Sequence, residues 1–234
     1  MKPFIISTLL SVFISCNSTT EINYTIEGES IPIDQHISLD STILSMYQPY
    51  KKGLDSIMNQ VLCYSPYFLE KKKPEARLNN WMADVCFEQS NKIYEADFCL
   101  LNYGGIRSSL PKGAITTKNI FQLMPFENEL VIIEIPNSSF TKVLDYLKIS
   151  GGHPISNISI NITNNNIDCS LKSEESIRIV TSDYLANGGD KMYFFADSIS
   201  MIKTGLKIRE VLLEECKSVD TLITTLDNRF VYES

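Results

Sequence analysis

Hydrophobic and polar positions alternate along this chain with a period that changes from segment to segment. Residues 41–60 set Ile43, Leu44, Met46, Tyr47, Leu54, Ile57 and Met58 among polar neighbours. That spacing predicts one amphipathic helix, with Pro49 kinking or splitting it near its middle. Residues 61–69 have the aromatic and β-branched content of a strand, and residues 78–87 put Leu78, Trp81, Met82 and Val85 on one face of a second helix. Residues 98–101 read as a short buried strand, and 130–135 (Leu-Val-Ile-Ile-Glu-Ile) as the clearest core strand. Pro136-Asn-Ser-Ser then offers a cap for a helix reaching about residue 148. In 155–168 Ile158, Ile160 and Ile162 alternate with polar residues, as in a strand with one exposed face. A short strand over 177–180, a last helix over 206–219 and a terminal strand over 229–232 complete the pattern. Strands and helices are interspersed, but their links are too irregular for repeated βαβ units, which predicts an α+β fold without internal repeats.

Composition supports one well-packed domain. The chain has 234 residues, 44% of them apolar, with only 9 Pro and 10 Gly. Its net charge of -7 and the lack of a basic stripe beyond Lys71-Lys72-Lys73 argue against a nucleic-acid partner. The N-terminus reads as an export signal: Lys2, an apolar run from Phe4 to Ile14, then Ser15-Cys16. That run is shorter than the roughly 20 residues a membrane-spanning helix needs. Val12-Phe13-Ile14-Ser15-Cys16 is similar to a bacterial lipobox, in which Cys16 becomes the lipidated first residue; a plain cleaved signal peptide is the alternative. The expected organisation is a signal over 1–16, a polar tether over 17–36 and one domain over 37–234, exported and held to a bacterial membrane through the lipid. Removing Cys16 leaves five cysteines without a CxxC pair, so neither a disulfide framework nor a zinc site is expected.

Three loop blocks carry the candidate chemistry. The first is Leu101-Asn-Tyr-Gly-Gly-Ile-Arg107, the second Pro125-Phe-Glu-Asn128, and the third Thr181-Ser-Asp-Tyr-Leu-Ala-Asn-Gly-Gly-Asp190. Glycine turns let backbone approach a ligand closely. Beside them stand two rings (Phe126 and Tyr184), a guanidinium (Arg107) and a carboxylate (Asp190). Each alone has an ordinary reading: a core aromatic, or a turn carboxylate capping its own backbone.

Taken together, the blocks resemble the C-terminal, substrate-binding domain of the 5'-nucleotidase/UDP-sugar hydrolase family, over roughly residue 37 to the C-terminus. The resemblance implies a layered α+β domain with helices packed on mixed sheets. It also implies a nucleotide or nucleoside ligand. Phe126 and Tyr184 would sandwich the base; the family usually has Phe at the second position. Arg107 would contact phosphate, Asp190 would hold the ribose hydroxyls, and Asn102, Gly104, Gly105, Gly188 and Gly189 would shape the contact. A further family arginine falls near the lysine run, so Lys72 stands in for it, with Arg77 as the alternative.

In the resembled family a separate, preceding domain binds two metal ions and carries the chemistry. Here the only histidines, His36 and His153, fall in no metal-ligand pattern. No cofactor is therefore expected in this chain; divalent metal ions would sit on a partner metallophosphoesterase chain, and the chain alone is expected to be inert. The resulting expectation is the nucleotide-binding half of a split phosphoesterase. A stand-alone nucleotide-binding surface lipoprotein is the alternative.

Overall fold

The computed structural model describes residues 28–34, 37, 38, 40–163, 166–172 and 175–233. The signal, Cys16 and most of the tether, with His36, lie outside the described residues. The chain divides into two compact units, Met1–Ser45 and Met46–Ser234. Helix α1 (Ser41–Met58) buries no residue. It runs through Pro49 without a break, because the carbonyl that loses its hydrogen bond there is exposed to solvent.

The core of the second unit is a five-stranded mixed sheet. Its order is β5 (Ile155–Ser156), β2 (Phe98–Leu100), β8 (Ser176–Ser182), β4 (Glu129–Pro136) and β9 (Ser200–Lys207). Only the β2–β8 pair is parallel. Both faces of its inner strands are covered, which explains why β2 and the middle of β4 read as continuous apolar runs. Cys99, Leu130, Ile132 and Val180 point into one core with helices α2 (Arg77–Asn91), α3 (Thr117–Leu123) and α6 (Ile208–Ser218). Phe98, Leu100, Ile133, Ile135, Ile177 and Ile179 point into the other, with α4 (Asn137–Ser150) and the 3-10 turn Tyr193–Asp197. Cys86 and Cys99 are fully buried in the first core, and burial pushes both thiols up. Cys63, Cys86, Cys99, Cys169 and Cys216 are free.

Several local expectations are corrected. The segment 155–168 is three strands: β5, β6 (Ile160–Thr163) and β7 (Asn166–Cys169). The chain turns between β5 and β6 at Asn157, a left-handed residue whose side-chain amide donates to the Asp97 carbonyl at 2.8 Å. Ile158, Ile160 and Ile162 are buried against Phe230, because the β6 ladder joins β10 (Phe230–Glu233) in parallel and roofs the second core. The helix after β4 begins at Pro136 with no side-chain cap, and its defined end is instead the left-handed Gly151. The strand expected over 61–69 is shorter, β1 (Val61–Ser65), paired with β3 (Gly113–Thr116). β3, α3 and β9 are additional elements. The seven-residue α3 rests on a reciprocal cap: Thr116 accepts from the Asn119 N–H, and Asn119 Oδ1 accepts from the Thr116 N–H at 2.8 Å.

Sheet register decides where the three motif blocks meet. β2 and β8 lie side by side and run the same way, with Cys99 opposite Val180. Their C-terminal ends therefore deliver both glycine turns to the same edge. β4 runs the other way, pairing Leu130 with Ser182, so its first residues and the preceding Phe126 sit at that same edge. This is the carboxyl-end crevice that open sheets offer to ligands.

Candidate functional site

The three turns enclose a cavity of about 290 Å³ lined by Asn102, Gly104, Gly105, Arg107, Phe126, Asn128, Tyr184 and Asp190. All of these were expected from the sequence except Asn128, which ends the second block itself. A wider hollow of about 510 Å³ lies around Lys72, Arg77 and Tyr232. The smaller one holds the convergent rings, guanidinium and carboxylate, which is the composition of a binding site.

The first turn, Tyr103–Gly105, is a single 3-10 turn after β2. It closes around the Asn102 side chain: a Cβ on Gly105 would stand 2.6 Å from Asn102 Oδ1, so a larger residue there would displace the Asn102 amide. The turn is held by groups distant in sequence. His153 Nδ1 accepts the Tyr103 N–H at 3.1 Å, and Lys71 Nζ donates to the Ile106 carbonyl at 2.6 Å. Lys71 also lies 4.5 Å from the centre of the Tyr103 ring. Burial, and then repulsion from Arg107, lowers the pKa of Lys71. His153 is 6% exposed, and burial followed by the nearby Lys73 charge brings its pKa down to about 4.

Of the lysine run, Lys71 is the one bonded to the first turn, and neither Lys71 nor Lys72 lines the smaller cavity. Lys72 lines the wider hollow, together with Lys73. Arg77 is engaged elsewhere, donating to the Thr224 carbonyl at 2.7 Å. Arg107 is exposed, 5.8 Å from the centre of the Phe126 ring, with a 3.5 Å contact to the Gly104 carbonyl. Phe126 itself is 41% exposed. Its loop is tied down by the buried Arg209, which donates to the Met124 and Phe126 carbonyls, each at 3.3 Å, and pairs with Glu127.

The third block is the most constrained. Helix α5 (Asp183–Ala186) is capped by Ser182, which accepts the Leu185 N–H at 3.2 Å. Gly188 follows in the left-handed region, and Asp190 and Lys191 are left-handed as well. Asp190 is held on every polar side. Asn102 Nδ2 donates to its Oδ2 at 2.6 Å, and the Tyr184 hydroxyl donates to its Oδ1 at 3.0 Å. The Tyr146 hydroxyl donates to its carbonyl at 2.9 Å. The Tyr184 ring lies against Gly189, where a Cβ would stand 2.5 Å from Cε1. Tyr146, His153, Lys71 and Arg209 were not expected at the site; Tyr146 and Arg209 bond the backbone of Asp190 and Phe126, which face the cavity, while His153 and Lys71 bond Tyr103 and Ile106 in the first turn, and none of the four carries a local motif.

Among the described residues no group of three or more His, Cys, Asp or Glu side chains could hold a metal ion. No described helix is long and apolar enough to cross a membrane.

Comparison with known proteins agrees with this geometry. The 5'-nucleotidase of Vibrio parahaemolyticus is 25% identical over 224 residues, covering 88% of this chain and 39% of its own length. The trifunctional nucleotide phosphoesterase protein YfkN of Bacillus subtilis is 20% identical over 222 residues, covering 83% of this chain and 15% of its own. The chain thus spans well under half the length of these relatives. The structure of a 5'-nucleotidase precursor from Thermus thermophilus has the same fold, with a TM-score of 0.68 at 20% identity over 81% of this chain and 42% of that one. The family model for the 5'-nucleotidase C-terminal domain matches residues 65–197, a span that holds all three motif blocks. The chain belongs to the 5'-nucleotidase C-terminal domain family.

Proposed function

We propose that this chain binds the nucleotide for a 5'-nucleotidase-type phosphoesterase whose two divalent metal ions are held by a separate chain, and that the pair acts outside the cytoplasm with this half tethered through Cys16. The observation that carries the reading is the convergence of Arg107, Phe126, Tyr184 and Asp190 on one cavity. The two rings bracket the base, offering polarisable faces that any base can stack on. Asp190 accepts from the ribose hydroxyls. The planar fork of Arg107 takes phosphate oxygens, and its exposure leaves the phosphate end open toward a partner that carries the metals. Gly104 and Gly105 let the backbone come close to the ligand. The two relatives are named a 5'-nucleotidase and a nucleotide phosphoesterase, and the chain corresponds to a fraction of each.

The test is calorimetry with adenosine and AMP, in the presence of the partner phosphoesterase where one is identified. Phe126→Ala should weaken both ligands by about 1–3 kcal/mol, the worth of one stacking ring. Arg107→Ala should weaken AMP and spare adenosine. Unchanged AMP binding in both variants, or a wild type that binds neither ligand, would remove the basis of the reading.

A further inference from the structure

The first and third turns, which both line the cavity, are joined in two places. On the cavity side Asn102 Nδ2 donates to Asp190 Oδ2 at 2.6 Å. Behind it a second link runs through two rings. The Tyr103 N–H of the first turn donates to His153 Nδ1 at 3.1 Å, the His153 and Tyr146 rings lie 5.3 Å apart, and the Tyr146 hydroxyl donates to the Asp190 carbonyl at 2.9 Å. Each ring is held by the fold rather than by the turns. In the β2–β5 ladder Leu100 stands opposite Ile155, and the Leu101 N–H donates to the Pro154 carbonyl at 3.0 Å, which sets His153 beside Asn102. The preceding Gly152 has φ 104, and a Cβ there would stand 2.8 Å from the Pro74 carbonyl oxygen, so the backbone carrying His153 lies tight against the lysine-run segment. Tyr146 projects from α4 and meets Phe194 edge-on, 5.6 Å away.

A backbone N–H can meet Nδ1 only when that nitrogen carries no proton, so the link requires the neutral ring with its proton on Nε2. The surroundings keep it neutral. Burial first, and then the Lys73 charge, disfavour the imidazolium, against smaller opposing effects of Asp190 and the Leu101 backbone. The Tyr146 phenol keeps its proton as well, because burial, then Asp190 and Tyr184, push its pKa up. Resting on the nucleotide-binding reading above, we propose that His153 is a positioning residue for ligand binding: its neutral ring, backed by Tyr146, sets the spacing between the Asn102–Gly105 turn and Asp190. His153 lies behind the cavity and acts through Tyr103 on one side and Asp190 on the other. A proton on Nδ1 would turn a donor toward the Tyr103 N–H and release the first turn from the third. Ligand and proton therefore compete without meeting, and such a coupling is reciprocal.

The experiment is calorimetric titration of the full chain with adenosine at neutral pH, for wild type, His153→Phe and His153→Asn. Phenylalanine keeps a ring against Tyr146 but removes the acceptor; asparagine places Oδ1 as many bonds from Cβ as Nδ1 and restores it. His153→Phe should weaken adenosine roughly tenfold, the scale of one backbone donor left unpaired, while His153→Asn should stay within about threefold of wild type. Equal affinities for wild type and His153→Phe, or equal losses in the two variants, overturn the proposal and leave nucleotide binding intact. A second measurement uses wild type alone, should His153→Phe fold poorly. The His153 imidazole titration, followed by NMR, should move to lower pH in saturating adenosine, by about one unit for a tenfold preference of the ligand for the neutral ring. A histidine that only supported the fold would titrate at the same pH with and without ligand, and that result overturns the proposal. A wild type that binds no adenosine overturns both the proposal and the reading it rests on.

Discussion

His153 gives the fold a pH dependence whose size follows from its surroundings. The ring is 6% exposed, 5.3 Å from the Tyr146 ring, and uses Nδ1 as the acceptor for the Tyr103 N–H at 3.1 Å. Protonation would turn that acceptor into a donor facing another donor. Burial and the Lys73 charge oppose protonation, only partly offset by Asp190, which places the folded pKa at about 4 against 6.5 for an unperturbed imidazole. The unfolded chain therefore binds a proton in a range where the folded chain does not. The resulting stability is fully present above pH 6.5 and is lost as pH falls toward 4. At about 1.4 kcal/mol per pKa unit, this amounts to about 3 kcal/mol, a large part of a typical domain's 5–15 kcal/mol. Urea denaturation at pH 7.5 and pH 4 for wild type and His153→Asn separates this effect from the carboxylates, which both proteins share. Wild type should lose about 3 kcal/mol more than the variant across that interval. Parallel losses would mean that His153 is not held neutral, and the reasoning from its burial would fail.

Two further outcomes are expected. Gly189→Ala would place a Cβ 2.5 Å from Tyr184 Cε1 and 2.6 Å from the Tyr184 carbonyl, which backbone cannot yield cheaply. Gly104→Ala meets only Asp190 Oδ2, at 3.4 Å, and Asn102 Nδ2, at 3.6 Å. Thermal denaturation should show the first variant destabilised by about 1–3 kcal/mol and the second by less than about 1 kcal/mol; equal effects would contradict the packing of the ring on the turn. Cys16→Ala should move the exported protein from the membrane to the soluble fraction, and unchanged partitioning would count against the lipid tether.

The parts of this fold that sequence reveals are those where one rule acts alone. β4 was legible because both its faces are buried, so Leu130 to Ile133 form an unbroken apolar run, and β8 because Ile177, Ile179 and Val180 are β-branched. The two glycine blocks were legible because close backbone approach demands glycine locally. The misread parts depend on distant partners. In 155–168 the alternation itself holds, with Ile160 and Ile162 buried and Asn161 exposed, but the division of the segment into three strands depends on distant partners, the Asp97 carbonyl at the Asn157 turn and the β10 strand beside β6. β9 is an edge strand with a left-handed Gly205, and its sparse apolar positions give little periodic signal. In the lysine run nothing local distinguishes Lys71 from Lys72; the choice is made by the Ile106 carbonyl, 35 residues on. Arg209 and Tyr146 act in the same way, by bonding backbone carbonyls of the loops rather than by belonging to a motif.

These supports divide the site into a stiff end and an open end. Asp190 is fixed through its side chain, its N–H and its carbonyl, and Asn102 is fixed by bonding to it. The glycine turn beneath is pinned by Lys71 and His153. Groups held in this way lose little freedom when a ligand arrives, so their contacts contribute nearly in full to selectivity. Arg107 differs: it is exposed and makes only a long contact to its own turn, so it must be ordered by whatever anion it meets. Lys71 beside it raises the positive potential there; burial, and then repulsion from Arg107, lowers its pKa, and a bound anion would relieve the repulsion. On the proposed reading, the preorganised Asp190 end is the one that discriminates between ligands and the exposed Arg107 end the one that adapts to the anion it meets. Ligands sharing a ribose but differing beyond the first phosphate should then compete for one site, and competition titrations in which they bind independently would refute that division.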